Sequence, residues 1–125
     1  MKGSILLTKS KAFALRIVRL YKHLRERTES VIAKQMLRSG TSIGANIAES
    51  RYAQSKTDFA SKLQIALKEA AETEYWLELL RDSELVEPSP AFDSLCSDCT
   101  VLIKLLTASV KTANENTCAY CEVRR

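Results

Sequence analysis

The chain has 125 residues, of which 46% are hydrophobic and 27% charged, a composition typical of one globular domain and not of a disordered or membrane-embedded protein. Only three glycines and two prolines are present, too few for the many turns of sandwiches, barrels and βαβ folds, so the composition predicts an all-α fold. The net charge of +4 is uneven: residues 1–40 hold 10 Lys or Arg against 2 Asp or Glu, whereas residues 41–125 hold 9 against 13.

The first predicted helix covers about residues 10–27 and is amphipathic. Its apolar face is opposed by a face of cations. Leu15 and Val18 lie among those cations, off the apolar face. Because leaving branched apolar side chains in water is unfavourable, they predict a second contact surface.

The second predicted helix covers about residues 31–51 and contains Gly40 and Gly44, four residues apart. Glycine is unfavourable inside a helix, so the pair needs a reason. We favour a close helix crossing over a phosphate-binding loop, because such a loop would follow a strand and carry a Gly-Lys-Ser/Thr sequence.

The third predicted helix covers about residues 56–81 and opens with Ser55 and Asp58 in a capping box. Glu74 falls on the predicted core face, which also carries Phe59, so its carboxylate needs polar partners. We expect them from the second helix, among Gln35, Arg38, Ser39, Ser42 and Asn46. A structural polar cluster is favoured over a catalytic site, because no second acid or metal ligand accompanies this carboxylate.

The fourth predicted helix starts at Pro90, with Ser89 as its cap, and ends at about residue 113. Residues 1–114 are predicted to form an antiparallel up-down four-helix bundle, and residues 115–125 a flexible C-terminal tail. Since three helices carry surplus apolar stripes, we expect a homo-oligomer. Its predicted surfaces include Leu15, Val18, Val101 and Leu105.

Four cysteines form two Cys-x-x-Cys pairs, a spacing found in four-cysteine zinc sites. Cys96 and Cys99, however, fall on an apolar helix face, where cysteine packs as a small hydrophobe. We therefore expect two slow thiols there, two fast ones at Cys118 and Cys121, and no bound metal or cofactor. No apolar run has the length of a membrane span or a signal-peptide core, so we expect a cytoplasmic protein without a membrane partner.

The only histidine, His23, has no carboxylate or thiol in register, so no catalytic triad can be assembled and we expect no enzymatic activity. Arg16 and His23 have an Arg-x6-His spacing like that of some all-α ribonucleases, but this spacing also arises by chance on a basic helix.

The cations of the first two helices form the strongest functional lead. One interpretation is a merely solvated face; the other is a phosphate-binding surface, whose potential would add up around an oligomer and favour RNA or DNA. The predicted nucleic-acid-binding residues are Lys11, Arg16, Arg19, Lys22, Arg25, Lys34 and Arg38.

Residues 12–80 resemble a known family on three stretches: VIAKQMLRSGTSIGANIAE from Val31, AQSKTDF from Ala53 and KEAAETEYWL from Lys68. They are similar to the four-helix-bundle proteins encoded in intervening sequences of bacterial 23S ribosomal RNA genes, and to the related accessory proteins of diversity-generating retroelements. The resemblance implies a bundle that assembles into a five-fold ring. For the retroelement relatives it also implies a basic ring that binds nucleic acid and the reverse transcriptase. An oligomeric protein-interaction scaffold is therefore the alternative to nucleic-acid binding.

Overall fold

The computed structural model describes the backbone of residues 2–27 and 31–124, and the side chains of residues 5–27 and 31–116. These residues form four helices and no strand, which confirms the all-α prediction. The helices are α1 (Lys2–Arg27), α2 (Val31–Ser50), α3 (Lys56–Asp82) and α4 (Pro90–Arg124). None of the helices in the described ranges has an apolar stretch that could cross a bilayer.

Two helix ends differ from the prediction. Helix α1 begins at Lys2 and not near residue 10, because Leu6 lies one heptad before Phe13 and both side chains are buried in the same core. Helix α4 continues to Arg124 and does not end near residue 113. The side chains of residues 117–125 lie outside the described residues, so the flexible tail at residues 115–125 stays a prediction.

The four helices pack around one apolar core. Helix α2 packs most extensively against α3, α1 packs against α2, and α3 packs against α4, whereas α1 and α4 share the smallest contact. The side chains that are less than 2% exposed include one or more from every helix, among them Phe13, Met36, Leu77 and Leu106. The described residues therefore form a four-helix bundle whose α1–α4 edge is the least closed.

Glycine sets the distance between α1 and α2. A Cβ atom added at Gly40 would lie 2.9 Å from Cγ2 of Ile17, a side chain with no exposed surface. At Gly44 the nearest atom would be the hydroxyl of Ser10, at 3.4 Å. The close crossing predicted from the two glycines is thus confirmed, and Gly40 is the position that requires the missing side chain.

The helix ends form the caps that the sequence predicts. The hydroxyl of Ser55 accepts from the amide of Asp58 at 3.0 Å, and the hydroxyl of Ser89 accepts from the amide of Phe92 at 3.1 Å. Helix α3 ends in a Schellman turn, because the amides of Glu84 and Leu85 donate to carbonyls of its last turn. Glu84 occupies the left-handed position of that turn at φ 61°, where glycine is usual.

Candidate nucleic-acid interface

The outer face of α1 presents cations around an apolar centre. Lys11 and Lys22 are eleven residues apart and fall on nearly the same line of the helix, with Arg25 beside them. All three are exposed, and none of their side chains forms an ion pair or hydrogen bond with another described residue. Leu15 and Val18 lie between them with 49% and 37% of their surfaces exposed. This face is available to a phosphate or to another protein.

Arg16 is also on α1 but is bound to α4. Its Nη1 lies 2.5 Å from Oδ2 of Asp98 and 3.2 Å from the hydroxyl of Ser94, and its Nη2 donates to the carbonyl of Ala91 at 2.9 Å. The guanidinium therefore links α1 to the first turns of α4. Its contribution to a phosphate-binding surface is reduced by the carboxylate that it already neutralises.

Arg38 belongs to a polar cluster between α2 and α3. Its guanidinium forms an ion pair with Glu72 and a longer one with Glu69, at 3.4 Å, and its Nε donates to the side chain of Gln35. The indole N–H of Trp76 donates to the same Glu72 oxygen as Arg38, at 2.9 Å. The Trp76 bond and the Arg38 guanidinium lower the pKa of Glu72 against the opposing effect of burial, and Glu72 in turn raises the pKa of Arg38.

The predicted polar cluster exists, but Glu74 is not its centre. Glu74 is half-buried and forms no hydrogen bond with a described residue. The buried polar residue of α3 is Thr73, whose hydroxyl lies 2.8 Å from the hydroxyl of Ser39 on α2 and 2.7 Å from the carbonyl of Glu69. Phe59, the other residue named on the predicted core face, is 39% exposed, and its neighbour Ala60 is buried instead.

The seven predicted cations therefore divide into two sets. Arg16 and Arg38 are tied to carboxylates of neighbouring helices. The other five are exposed and have no described ion pair. This free set consists of Lys11, Arg19, Lys22, Arg25 and Lys34. The sequence did not separate the two sets, because the acids that neutralise Arg16 and Arg38 come from α4 and α3 and are distant along the chain.

Three of the four residues predicted to form the surface between copies of this chain are exposed. Val101, on the outer face of α4, has 43% of its surface exposed. On α1, Leu15 and Val18 have 49% and 37% of their surfaces exposed. Leu105 is half-buried and packs against the core, so it exposes less of its surface than the other three residues of the predicted surface.

The described cysteines differ in burial. Cys99 has no exposed surface, its sulfur faces the carbonyl of Ala70, and burial raises the pKa of its thiol to about 12. Cys96 is half-buried next to Arg81, and burial is the main cause that raises its pKa. The side chains of Cys118 and Cys121 lie outside the described residues, and the described side chains contain no His, Cys, Asp and Glu cluster suited to a metal.

The two residues of the Arg-x6-His spacing, Arg16 and His23, differ in whether they are engaged by other described residues. Arg16 and His23 border the same groove, but Arg16 is engaged by Asp98. His23 has no hydrogen-bond partner in the part of the chain that the structure describes.

Comparisons with known proteins agree with the fold. A family model described as 23S rRNA-intervening sequence protein matches residues 2–108. A crystal structure of a protein of unknown function from the S23 ribosomal protein family, from Bacteroides thetaiotaomicron, is 54% identical to this chain. The match covers 89% of this chain and 99% of that one, with a TM-score of 0.83. No match was found among the curated proteins.

Proposed function

Since this chain belongs to the family of 23S rRNA-intervening sequence proteins, we propose that it is a non-enzymatic, homo-oligomeric four-helix bundle that binds nucleic acid without sequence preference. The bundle is antiparallel and the protein works in the cytoplasm. The single observation that carries this proposal is the free set of five exposed cations on α1 and α2, which no described carboxylate neutralises. Such a set releases counterions when it meets a phosphate backbone.

Oligomerisation strengthens the argument for nucleic acid. We propose that the interface forms through Val101 on α4, whose exposed apolar surface a second copy would remove from water, so that the cations around Leu15 and Val18 stay accessible on α1. A closed ring would repeat the cationic face once per subunit. We propose a pentamer, which light scattering tests directly: five times the 14.0 kDa mass of the chain supports it, and a monomer at micromolar concentration contradicts it.

The test of nucleic-acid binding compares two triple variants of equal charge change. Lys11→Glu/Lys22→Glu/Arg25→Glu reverses the outer face of α1, and the control reverses three exposed lysines of α3 and α4. The control substitutions are Lys68→Glu, Lys104→Glu and Lys111→Glu. We expect the first variant to bind an RNA or DNA oligonucleotide at least tenfold more weakly, and the control to change affinity about threefold or less.

Salt dependence separates this proposal from its alternative. Phosphate contacts require an affinity that falls steeply with salt, with a slope that becomes shallower in the α1 variant. The alternative is an oligomeric scaffold for a protein such as a reverse transcriptase, as in retroelement accessory proteins, and the exposed Leu15 and Val18 favour it. Absence of RNA and DNA binding at about 50 mM salt would support the scaffold and contradict our proposal.

A further inference from the structure

A groove of about 570 Å³ lies between the C-terminal half of α1 and the connection from α3 to α4. It is bordered by the apolar side chains of Leu20, Leu85 and Val86, with the buried Phe92 beneath. The Schellman turn at Glu84 fixes Leu85 and Val86 in place, because both amides donate to the carbonyl of Leu80. The volume lies within the roughly 300–1,000 Å³ of ligand sites in proteins.

The rim of this groove is charged. Helix α1 contributes Arg19, His23 and Arg27, and the connection contributes Glu84 and Glu87. Arg27 faces Glu87, with Nη1 and Oε1 3.8 Å apart. Arg19 and His23 form no ion pair in the described ranges, so both can donate to an anion. The carboxylate of Glu84 also lies on the rim and forms no ion pair with a described cation.

Arg19 connects the groove to the free set of cations. It lines the groove and is exposed on the same helix as Lys11, Lys22 and Arg25. A phosphate backbone that follows the outer face of α1 therefore passes the mouth of an apolar recess. Unpaired bases are held in proteins by apolar and aromatic side chains and by guanidinium planes, while their phosphates bind cations.

We propose that this groove takes one unpaired nucleobase of a single-stranded nucleic acid, with the adjoining phosphates on Arg19 and His23. The inference rests on the proposed nucleic-acid binding and makes it specific, because a base that is stacked and paired in a duplex cannot enter the groove without leaving the stack. The protein therefore prefers single strands to duplexes.

The experiment measures fluorescence anisotropy of three probes with equal numbers of phosphates at about 50 mM salt. They are a single-stranded oligonucleotide, a duplex, and a single strand whose sugars lack bases. We expect the strand with bases to bind about tenfold more tightly than the other two. Equal affinity for the three probes would overturn the groove proposal and leave the proposed function intact, whereas absence of binding to all three would overturn both.

Two pairs of variants place the effect in the groove. Ala91→Trp fills the groove from the exposed first turn of α4, and Ala108→Trp adds the same side chain to the exposed face of α4 away from the groove. We expect Ala91→Trp to abolish the tenfold advantage of the strand with bases without weakening its binding to the base-free strand, and Ala108→Trp to keep that advantage. An advantage that persists in Ala91→Trp would overturn the proposal.

The second pair does not depend on tolerance of a tryptophan. Arg19→Gln removes a cation at the rim, and Arg25→Gln removes one from the outer face of α1 outside the groove. Because only a strand whose base enters the groove holds its adjoining phosphates on Arg19, we expect Arg19→Gln to reduce the preference for the strand with bases about threefold or more. We expect Arg25→Gln to weaken all three probes equally. Equal behaviour of the two variants on every probe would overturn the role of the groove.

Discussion

The contact between α2 and α3 and the contact between α1 and α4 differ in how completely they close. Helices α2 and α3 share the most extensive contact of the bundle and bury a pair of hydroxyls, on Ser39 and Thr73, between them. Helices α1 and α4 share the smallest contact, where one arginine, Arg16, donates three side-chain hydrogen bonds to α4. A groove remains beside that contact.

The difference shows why Arg16 and Arg38 are bound to carboxylates of neighbouring helices whereas Arg19 is not. At the closed α2–α3 contact, the polar groups of Arg38, Glu72 and Trp76 bind one another, so little is left for a ligand. At the open α1–α4 edge, Arg16 is used for the fold but Arg19 and His23 remain available. The edge with the smallest helix contact is therefore one at which donor groups stay unpaired among the described residues.

The largest expected effect is on the reaction rates of the thiols of α4. This helix has a closed side toward α3 and an open side toward α1. Cys99 lies on the closed side, with a pKa raised from 9.0 to about 12. Since the thiolate is the reactive form and this sulfur is buried, we expect Cys99 to react with a disulfide reagent at pH 8 about a hundredfold or more slowly than a free thiol. The rate should rise with pH throughout the range in which the protein stays folded.

Single-cysteine variants assign the rates. We expect Cys118 and Cys121 to react fast, Cys96 more slowly and Cys99 last, with no zinc bound. A Cys99 rate equal to that of Cys96 would show that the α3–α4 contact opens easily. One equivalent of zinc per chain by elemental analysis would contradict the prediction for all four cysteines.

Alanine in place of each of the two glycines tests the close contact between α1 and α2. Gly40→Ala places a methyl group 2.9 Å from Ile17 Cγ2, so overpacking of roughly 1–3 kcal/mol outweighs the gain in helix propensity of about 1 kcal/mol. We expect a net loss of stability of up to about 2 kcal/mol by denaturant unfolding. The matched control Gly44→Ala meets Ser10 at 3.4 Å and should be neutral or up to about 1 kcal/mol more stable. Equal effects of the two substitutions would contradict the asymmetry of the crossing.

Methionine in place of each engaged arginine compares the two contacts directly. Methionine keeps an apolar stem and removes the guanidinium. Arg16→Met should destabilise by about 1–2 kcal/mol, because three acceptors on α4 lose their donor and few other contacts join the two helices. Arg38→Met should cost about 0.5 kcal/mol, since its ion pairs are half-exposed and α2–α3 packing is extensive. A larger loss at Arg38 would reverse our ranking of the contacts.

Much of the fold could be predicted from the sequence because its signals are local. The caps at Ser55 and Ser89, the glycine pair and the apolar periodicity each depend on residues within a few turns of one another. The polar cluster was predicted on the right pair of helices but one or two residues away from Glu72 and Thr73. A small rotation of α3 decides which side chain faces α2, and 3.6-residue periodicity does not resolve it.

The candidate site was less predictable, because charge neutralisation is a long-range property. Asp98 lies 82 residues from Arg16, and Glu72 lies 34 residues from Arg38. The groove is also long-range, since α1 supplies its cations and the α3–α4 connection supplies much of its apolar lining. The sequence singled out His23 as the only histidine and for its spacing from Arg16, but not as part of a groove, and Arg27 was missed as a member of the rim.

The smallest expected effect is the acid titration of Glu72, which measures how closed the α2–α3 contact is. The hydrogen bond from Trp76, opposed by burial, and the Arg38 guanidinium lower the pKa of this carboxyl. A lowered pKa means that the stabilisation is present above the unfolded pKa of about 4.3 and is lost as pH falls through the folded value. Because the group is partly exposed, we expect only about 0.2–1 kcal/mol.

Trp76 reports that titration, because it is the only tryptophan and its indole N–H donates to Glu72. Its fluorescence should change with a midpoint below the ordinary pKa of a glutamate, and that transition should be absent in Glu72→Gln. Glu69→Gln is the matched control: it removes the longer, 3.4 Å ion pair with Arg38 and leaves the indole bond, so it should keep the transition. A wild-type midpoint at or above the ordinary glutamate value would mean that burial, and not the donors, governs Glu72. The α2–α3 contact would then hold an unfavourable carboxylate, and the contrast with the α1–α4 edge would lose its electrostatic basis.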